Sequence, residues 1–94
     1  MARQPEGFQV RGGDDFYEAA VSLFGSYQIV DELLYAYDHV LSRDPFLGFR
    51  IQGSNIWMLE LNTVPKAVLF YAVDALAKTI EYRALKALES QNDG

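Results

Sequence analysis

Six apolar or aromatic residues in a row, Val68-Leu69-Phe70-Tyr71-Ala72-Val73, closed by Asp74, constrain this chain more than any other stretch. A run this short and bulky is either a strand buried on both faces or part of a buried helix. Read as a helix, it extends over residues 65–89. Pro65 then sits in the first turn. Leu69, Val73, Leu76, Ile80, Ala84 and Ala87 keep helical steps, and most of residues 75–88 are strong helix formers. Read as a hairpin, it becomes a strand over 66–73, a turn over 74–77 and a strand over 78–85. Ile80, Tyr82 and Ala84 then face the core, while Thr79, Glu81 and Arg83 face out. Propensity alone favours the helix. The strand has a different argument: the other β-like segments would make a poor sheet with long unpaired edges unless a central member joins them.

Those other segments lie upstream. Phe8 and Val10 alternate with polar neighbours, as in a short strand ended by Gly12-Gly13. Asp15 offers a helix N-cap with Glu18 three residues on, a capping-box pattern. Phe16, Ala19, Ala20, Leu23 and Phe24 then recur at helical spacing up to Gly25, a natural stop. Ser26 can cap a second helix whose apolar stripe is Ile29, Val30, Leu33, Leu34, Tyr37, Val40 and Leu41. Asp44-Pro45 ends it, because a residue before proline is pushed out of the helical region. Residues 46–52 return to β character, with Phe49 and Ile51 inward and Arg50 outward. Gly53-Ser54-Asn55 supplies turn chemistry, and residues 56–61 alternate again with Trp57, Leu59 and Leu61 on one side. Phe8, Phe49, Trp57 and Phe70 are expected to pack on the two helices as one core.

Ninety-four residues, half of them hydrophobic, make one domain over 1–94 with a modest core. The absence of cysteine excludes a disulfide framework, a thiolate metal site and a cysteine nucleophile. No apolar run approaches a membrane span, and the first 13 residues lack the apolar core of a signal peptide. A cytoplasmic protein without membrane contact is the expectation. The net charge is −5 and uneven: residues 14–44 hold seven acids and one base, residues 45–94 five of each. That is not the usual footprint of a nucleic-acid binder. Gly12-Gly13-Asp14-Asp15 lacks the lysine of a phosphate loop, no metal-ligand spacing occurs, and His39 has no second ligand nearby. No cofactor and no metal are expected.

From Leu41 onward the chain resembles the RelE/ParE superfamily of toxins from bacterial type II toxin–antitoxin pairs. The resemblance is carried by Leu41-Ser42-Arg43-Asp44-Pro45, Gly48, Gly53-Ser54-Asn55-Ile56-Trp57, Phe70-Tyr71-Ala72-Val73-Asp74 and Lys78-Thr79-Ile80-Glu81-Tyr82. It covers the C-terminal half closely and the N-terminal half in layout only. It implies an α+β fold: a small twisted antiparallel sheet with a two-helix hairpin on one face, in the order β-α-α-β-β-β-β. It also tips residues 66–85 toward the hairpin.

The resemblance implies a toxin held by a cognate antitoxin, as an oligomer with it. The RelE-like activity is ribosome-dependent endoribonuclease cleavage of messenger RNA. Such cleavage, by attack of a ribose 2′-hydroxyl on the adjacent phosphate, needs a base and a cation. Glu60 or Glu81 is the candidate base. Arg83 with Arg50 is the candidate clamp, and Lys78 and Lys86 are candidate substrate contacts. The plainer reading of Glu81 and Arg83, two apart on one strand, is a solvated face. This chain also departs from the family by being acidic, which favours an alternative: a catalytically inactive protein of this fold that acts only by binding a protein partner. An unrelated α/β interaction domain with a long C-terminal helix is the third reading.

Overall fold

The computed structural model describes residues 7–88. Chain order is β1 (Gln9–Gly12), α1 (Asp14–Phe24), α2 (Tyr27–Arg43), β2 (Phe49–Arg50), β3 (Ile56–Leu61), β4 (Ala67–Asp74) and β5 (Thr79–Ala87). The apolar run is thus a strand, and the segment after it is its hairpin partner rather than a helix. Local chemistry explains the outcome. Asp74 Oδ1 accepts the Ala77 N–H at 3.0 Å, and Lys78 takes a left-handed φ of 58°, so the chain turns where a helix would continue. β4 then pairs along its whole length with β3 on one side and β5 on the other. Helix propensity yields to the tertiary partner here.

The five strands run β1-β5-β4-β3-β2 across one sheet. Every neighbouring pair is antiparallel except β1 with β5, which are parallel, so the sheet is mixed and not purely antiparallel as expected. The cause is connectivity: β1 is separated from β5 by the whole chain, so no hairpin sets its direction.

α1 and α2 cover one face. Gly25, at φ 77°, closes α1 in the left-handed region that glycine favours. Ser26 Oγ accepts the Ile29 N–H at 3.2 Å and opens α2, as its sequence indicates. The α1 cap differs from expectation: Gly13, not Asp15, is the N-cap and carries no side-chain bond. Asp14 and Asp15 lie in the first turn, where they suit the helix dipole. Ile29 and Val40, expected in the apolar stripe, are exposed because the stripe is wider than the sheet it meets.

Phe16, Ala20, Val30 and Leu41 from the helices pack on Leu61, Ala67, Leu69, Tyr71, Val73, Ile80, Tyr82 and Leu85 from the sheet. The expected aromatic quartet splits. Phe8 and Trp57 join this core, while Phe49 pairs with Met58 and Met58 with Phe70 on the opposite face. A bulge accounts for a second change of parity. Phe70 faces Ala84 and Tyr71 faces Tyr82, so Arg83 has no partner across the ladder. Beyond it Leu85, not Ala84, faces the core. β2 is only two residues long, and its neighbour Gly48 crosses so close to β3 that a Cβ there would lie 2.2 Å from the Met58 carbonyl oxygen.

Leu69 lies at the centre of this packing and is 1% exposed, whereas Leu76 in the β4–β5 turn is 98% exposed. Leu69→Ala is expected to cost about 2–5 kcal/mol in urea unfolding. Leu76→Ala is expected to stay within about 0.5 kcal/mol.

Candidate functional site

Among the described residues, no helix covers the sheet face opposite α1 and α2. Residues paired across antiparallel strands share a face, as do parallel partners, so the ladder register sorts the candidate residues. Glu60, Val68 and Lys86 form one row on the open face, across β3, β4 and β5. Ile56, Ala72, Glu81 and Arg11 form another, across β3, β4, β5 and β1. The two rows are four residues apart on β4, about 13 Å along the strand.

The six sequence candidates therefore do not converge on one point. Glu81 and Arg83 do meet: Arg83 Nε lies 3.6 Å from Glu81 Oε1, with both side chains more than half exposed. Glu60 stands at the far side of the face, two strands away and in the other row. Arg50 pairs with Trp57, so it takes the helix-side parity at the short edge strand, opposite to the outward reading of its alternation. Lys78 sits in the β4–β5 turn beside β1, where its carbonyl oxygen accepts the Gln9 N–H at 2.9 Å. Lys86 is exposed on the open face beside Val68.

One residue not singled out by sequence joins the pair. Arg11 on β1 is the register partner of Glu81, so two guanidinium-bearing residues flank one carboxylate. Only the parallel β1–β5 pairing brings it there, and residues 70 positions apart leave no local signal of such a pairing. The Arg83–Glu81 contact is exposed and worth at most about 1 kcal/mol. The guanidinium is free to exchange its carboxylate for a phosphate oxygen. Ala72, which is buried, and the half-buried Ala84 are the nearest β4 and β5 neighbours on this face, and neither side chain extends beyond a methyl group.

The other half of the open face is apolar. A groove of about 380 Å³ is lined by Leu47, Phe49, Met58, Val68 and Leu88, with Glu60 as its one charged side chain. Phe49 is 80% exposed. Among the described residues no three His, Cys, Asp or Glu side chains are placed to hold a metal ion, and no helix is long and apolar enough to cross a membrane.

Behind the sheet, the Tyr82 hydroxyl donates to Asp38 Oδ1 at 2.6 Å and ties β5 to α2. Burial pushes the Asp38 carboxyl above its ordinary value, and the bond from Tyr82 offsets this in part. Burial, with the same bond and the charge of Asp38, pushes the Tyr82 hydroxyl well up. Tyr71 is raised by burial too, although the Gly48 N–H donates to its oxygen at 3.1 Å.

Comparison with family models, curated proteins and solved structures finds no match for this chain.

A carboxyl whose folded value is raised is ionised first in the unfolded chain, so its share of stability is present at acid pH and lost as pH rises. Wild-type stability relative to Asp38→Asn is therefore expected to fall from about pH 4 toward neutrality. Tyr82 acts in the same sense above about pH 10, where the unfolded chain ionises first. Tyr82→Phe is expected to flatten that alkaline loss and to cost about 1.5 kcal/mol at neutral pH. Urea unfolding at a series of pH values, across the three proteins, checks both.

Proposed function

We propose that this protein is the toxin of a type II toxin–antitoxin pair, of the RelE/ParE kind, and that the open sheet face is its working surface. The observation that carries the reading is the cluster of Arg11, Glu81 and Arg83 on that face, in a chain whose order of elements is the one the family resemblance implies. The cluster suits RelE-like cleavage of messenger RNA on the ribosome. Glu81 takes the proton of a ribose 2′-hydroxyl as that oxygen attacks the adjacent phosphorus. Arg83 and Arg11 meet the charge that grows on the phosphorane oxygens. The departing 5′ oxygen takes its proton from water, which the open face admits. Arg11 fills the place in the clamp first given to Arg50. Lys86, and Lys78 at the turn, lie where they can meet flanking phosphates.

A second reading has its own support. Glu60 and Arg50 stand apart from the cluster, and half of the open face is an apolar groove. Those features favour a protein of this fold that acts only by binding a protein partner.

Induction in bacterial cells separates the two. The ribonuclease reading expects growth arrest, with messenger RNA cut in a ribosome-containing translation reaction. It expects Arg83→Ala and Glu81→Gln each to slow cutting by about 10²–10³-fold, Arg11→Ala to slow it at least tenfold, and Arg50→Ala to leave it unchanged. Arrest that persists in the Arg83→Ala, Glu81→Gln double variant, without cleavage, leaves the binding reading standing in its place.

A further inference from the structure

A second cavity lies away from the open face, where the N-terminal end of the sheet meets α2. It measures about 280 Å³ and is lined by Phe8, Val10, Tyr35, Asp38, His39 and Ser42. Its volume is at the bottom of the range for small-molecule pockets, so it is suited to a single inserted side chain more than to a whole ligand.

Its chemistry is specific. Asp38 is half-buried and uses Oδ1 to accept from Tyr82. Oδ2 has no protein donor among the described residues and is not among the atoms sealed from solvent. The Ser42 hydroxyl donates to the His39 carbonyl at 3.0 Å, which leaves its oxygen lone pairs as acceptors. Two acceptors thus line one cavity, one of them a carboxylate short of solvation. Burial already holds the Asp38 carboxyl above its ordinary value, and a cation would relieve that cost. Two aromatic residues, Phe8 and Tyr35, complete the lining, and Tyr35 is 77% exposed on the outer side of α2. Over their whole lengths α1 and α2 carry six acids and one base, Arg43, which follows Ser42 in the chain.

We infer that this cavity receives an arginine side chain from a protein partner, held by the Asp38 carboxylate and the Ser42 hydroxyl and stacked on the rings of Phe8 and Tyr35. Arginine fits better than lysine. Its planar fork can donate to both acceptors at once, and its face stacks on aromatic rings. The net negative charge of the two helices adds attraction for a basic segment and speeds its approach. The site is independent of the Arg11–Glu81–Arg83 cluster, which lies on the other face of the sheet.

The test uses the full chain, labelled for amide NMR, and two capped pentapeptides: Ala-Leu-Arg-Leu-Ala and a twin with citrulline, the uncharged isostere, in place of arginine. The arginine peptide is expected to shift the amides of Phe8, Tyr35, His39 and Ser42 saturably, and the citrulline twin to bind at least tenfold more weakly. Asp38→Asn keeps an oxygen for Tyr82 but removes the charge. It is expected to weaken the arginine peptide at least tenfold, while Glu81→Gln changes nothing. Tyr35→Ala, at an exposed position, is expected to weaken binding severalfold and leaves the fold intact in far-UV circular dichroism. Equal binding of the two peptides, undiminished binding to Asp38→Asn, or shifts confined to other residues would each overturn the assignment. So would N-acetyl-arginine amide binding as tightly as the peptide, because the occupant would then be a small guanidine and not a protein segment.

Discussion

Tyr71 is fully buried in the middle of the central strand, and its hydroxyl accepts the N–H of Gly48. That single contact links the core to the edge of the sheet. A buried polar atom without a partner costs about 1–3 kcal/mol, so the loop before β2 must come to Tyr71 or the strand must lose it. The loop can come because residue 48 is glycine, packed on the Met58 carbonyl where no side chain fits. The consequence spreads outward. β2 is set against β3 over only two residues, Phe49 turns onto the open face, and Arg50 turns behind it. The position of one hydroxyl thus bears on which charged residues reach the open face.

Much of the fold was legible in the sequence, and for local reasons. Gly25, Ser26 and the Asp44-Pro45 pair act through the backbone of their own neighbours, so three of the four helix ends could be read directly, the start of α1 being the exception. The Gly53-Ser54-Asn55 turn and the alternation of β3 are equally local. The apolar run was ambiguous because a strand buried on both faces and a helix core ask for the same residues. The pairing of β4 with strands on both sides decides it as a strand. What could not be read was long-range. The parallel docking of β1 on β5 and the bulge at Arg83 leave no mark on nearby residues. The placement of the candidate residues follows the same division: Glu81 and Arg83, two apart on one strand, can be brought together from the sequence, while Arg11 comes beside them only through the parallel pairing and Arg50 turns to the side opposite its expected one.

Charge is distributed as two layers. The helices carry the acidic excess, and the open sheet face carries Arg11, Arg83 and Lys86 among its acids. The chain's overall −5 therefore describes neither surface. A partner approaching the helices meets a field unlike the one met by a partner approaching the sheet. At an ionic strength near that of a cell, screening over about 8 Å keeps the two fields largely separate across the thickness of the sheet.

The parallel seam between β1 and β5 has a consequence in time. A ribosome makes β1 first and β5 last, and domains gain their long-range contacts only when both partners exist. Until the final strand emerges, Arg11 has no Glu81 beside it and the helices have only part of a sheet to cover. The meeting of Arg11 with Glu81 therefore waits on β5, the latest of the described strands to be made.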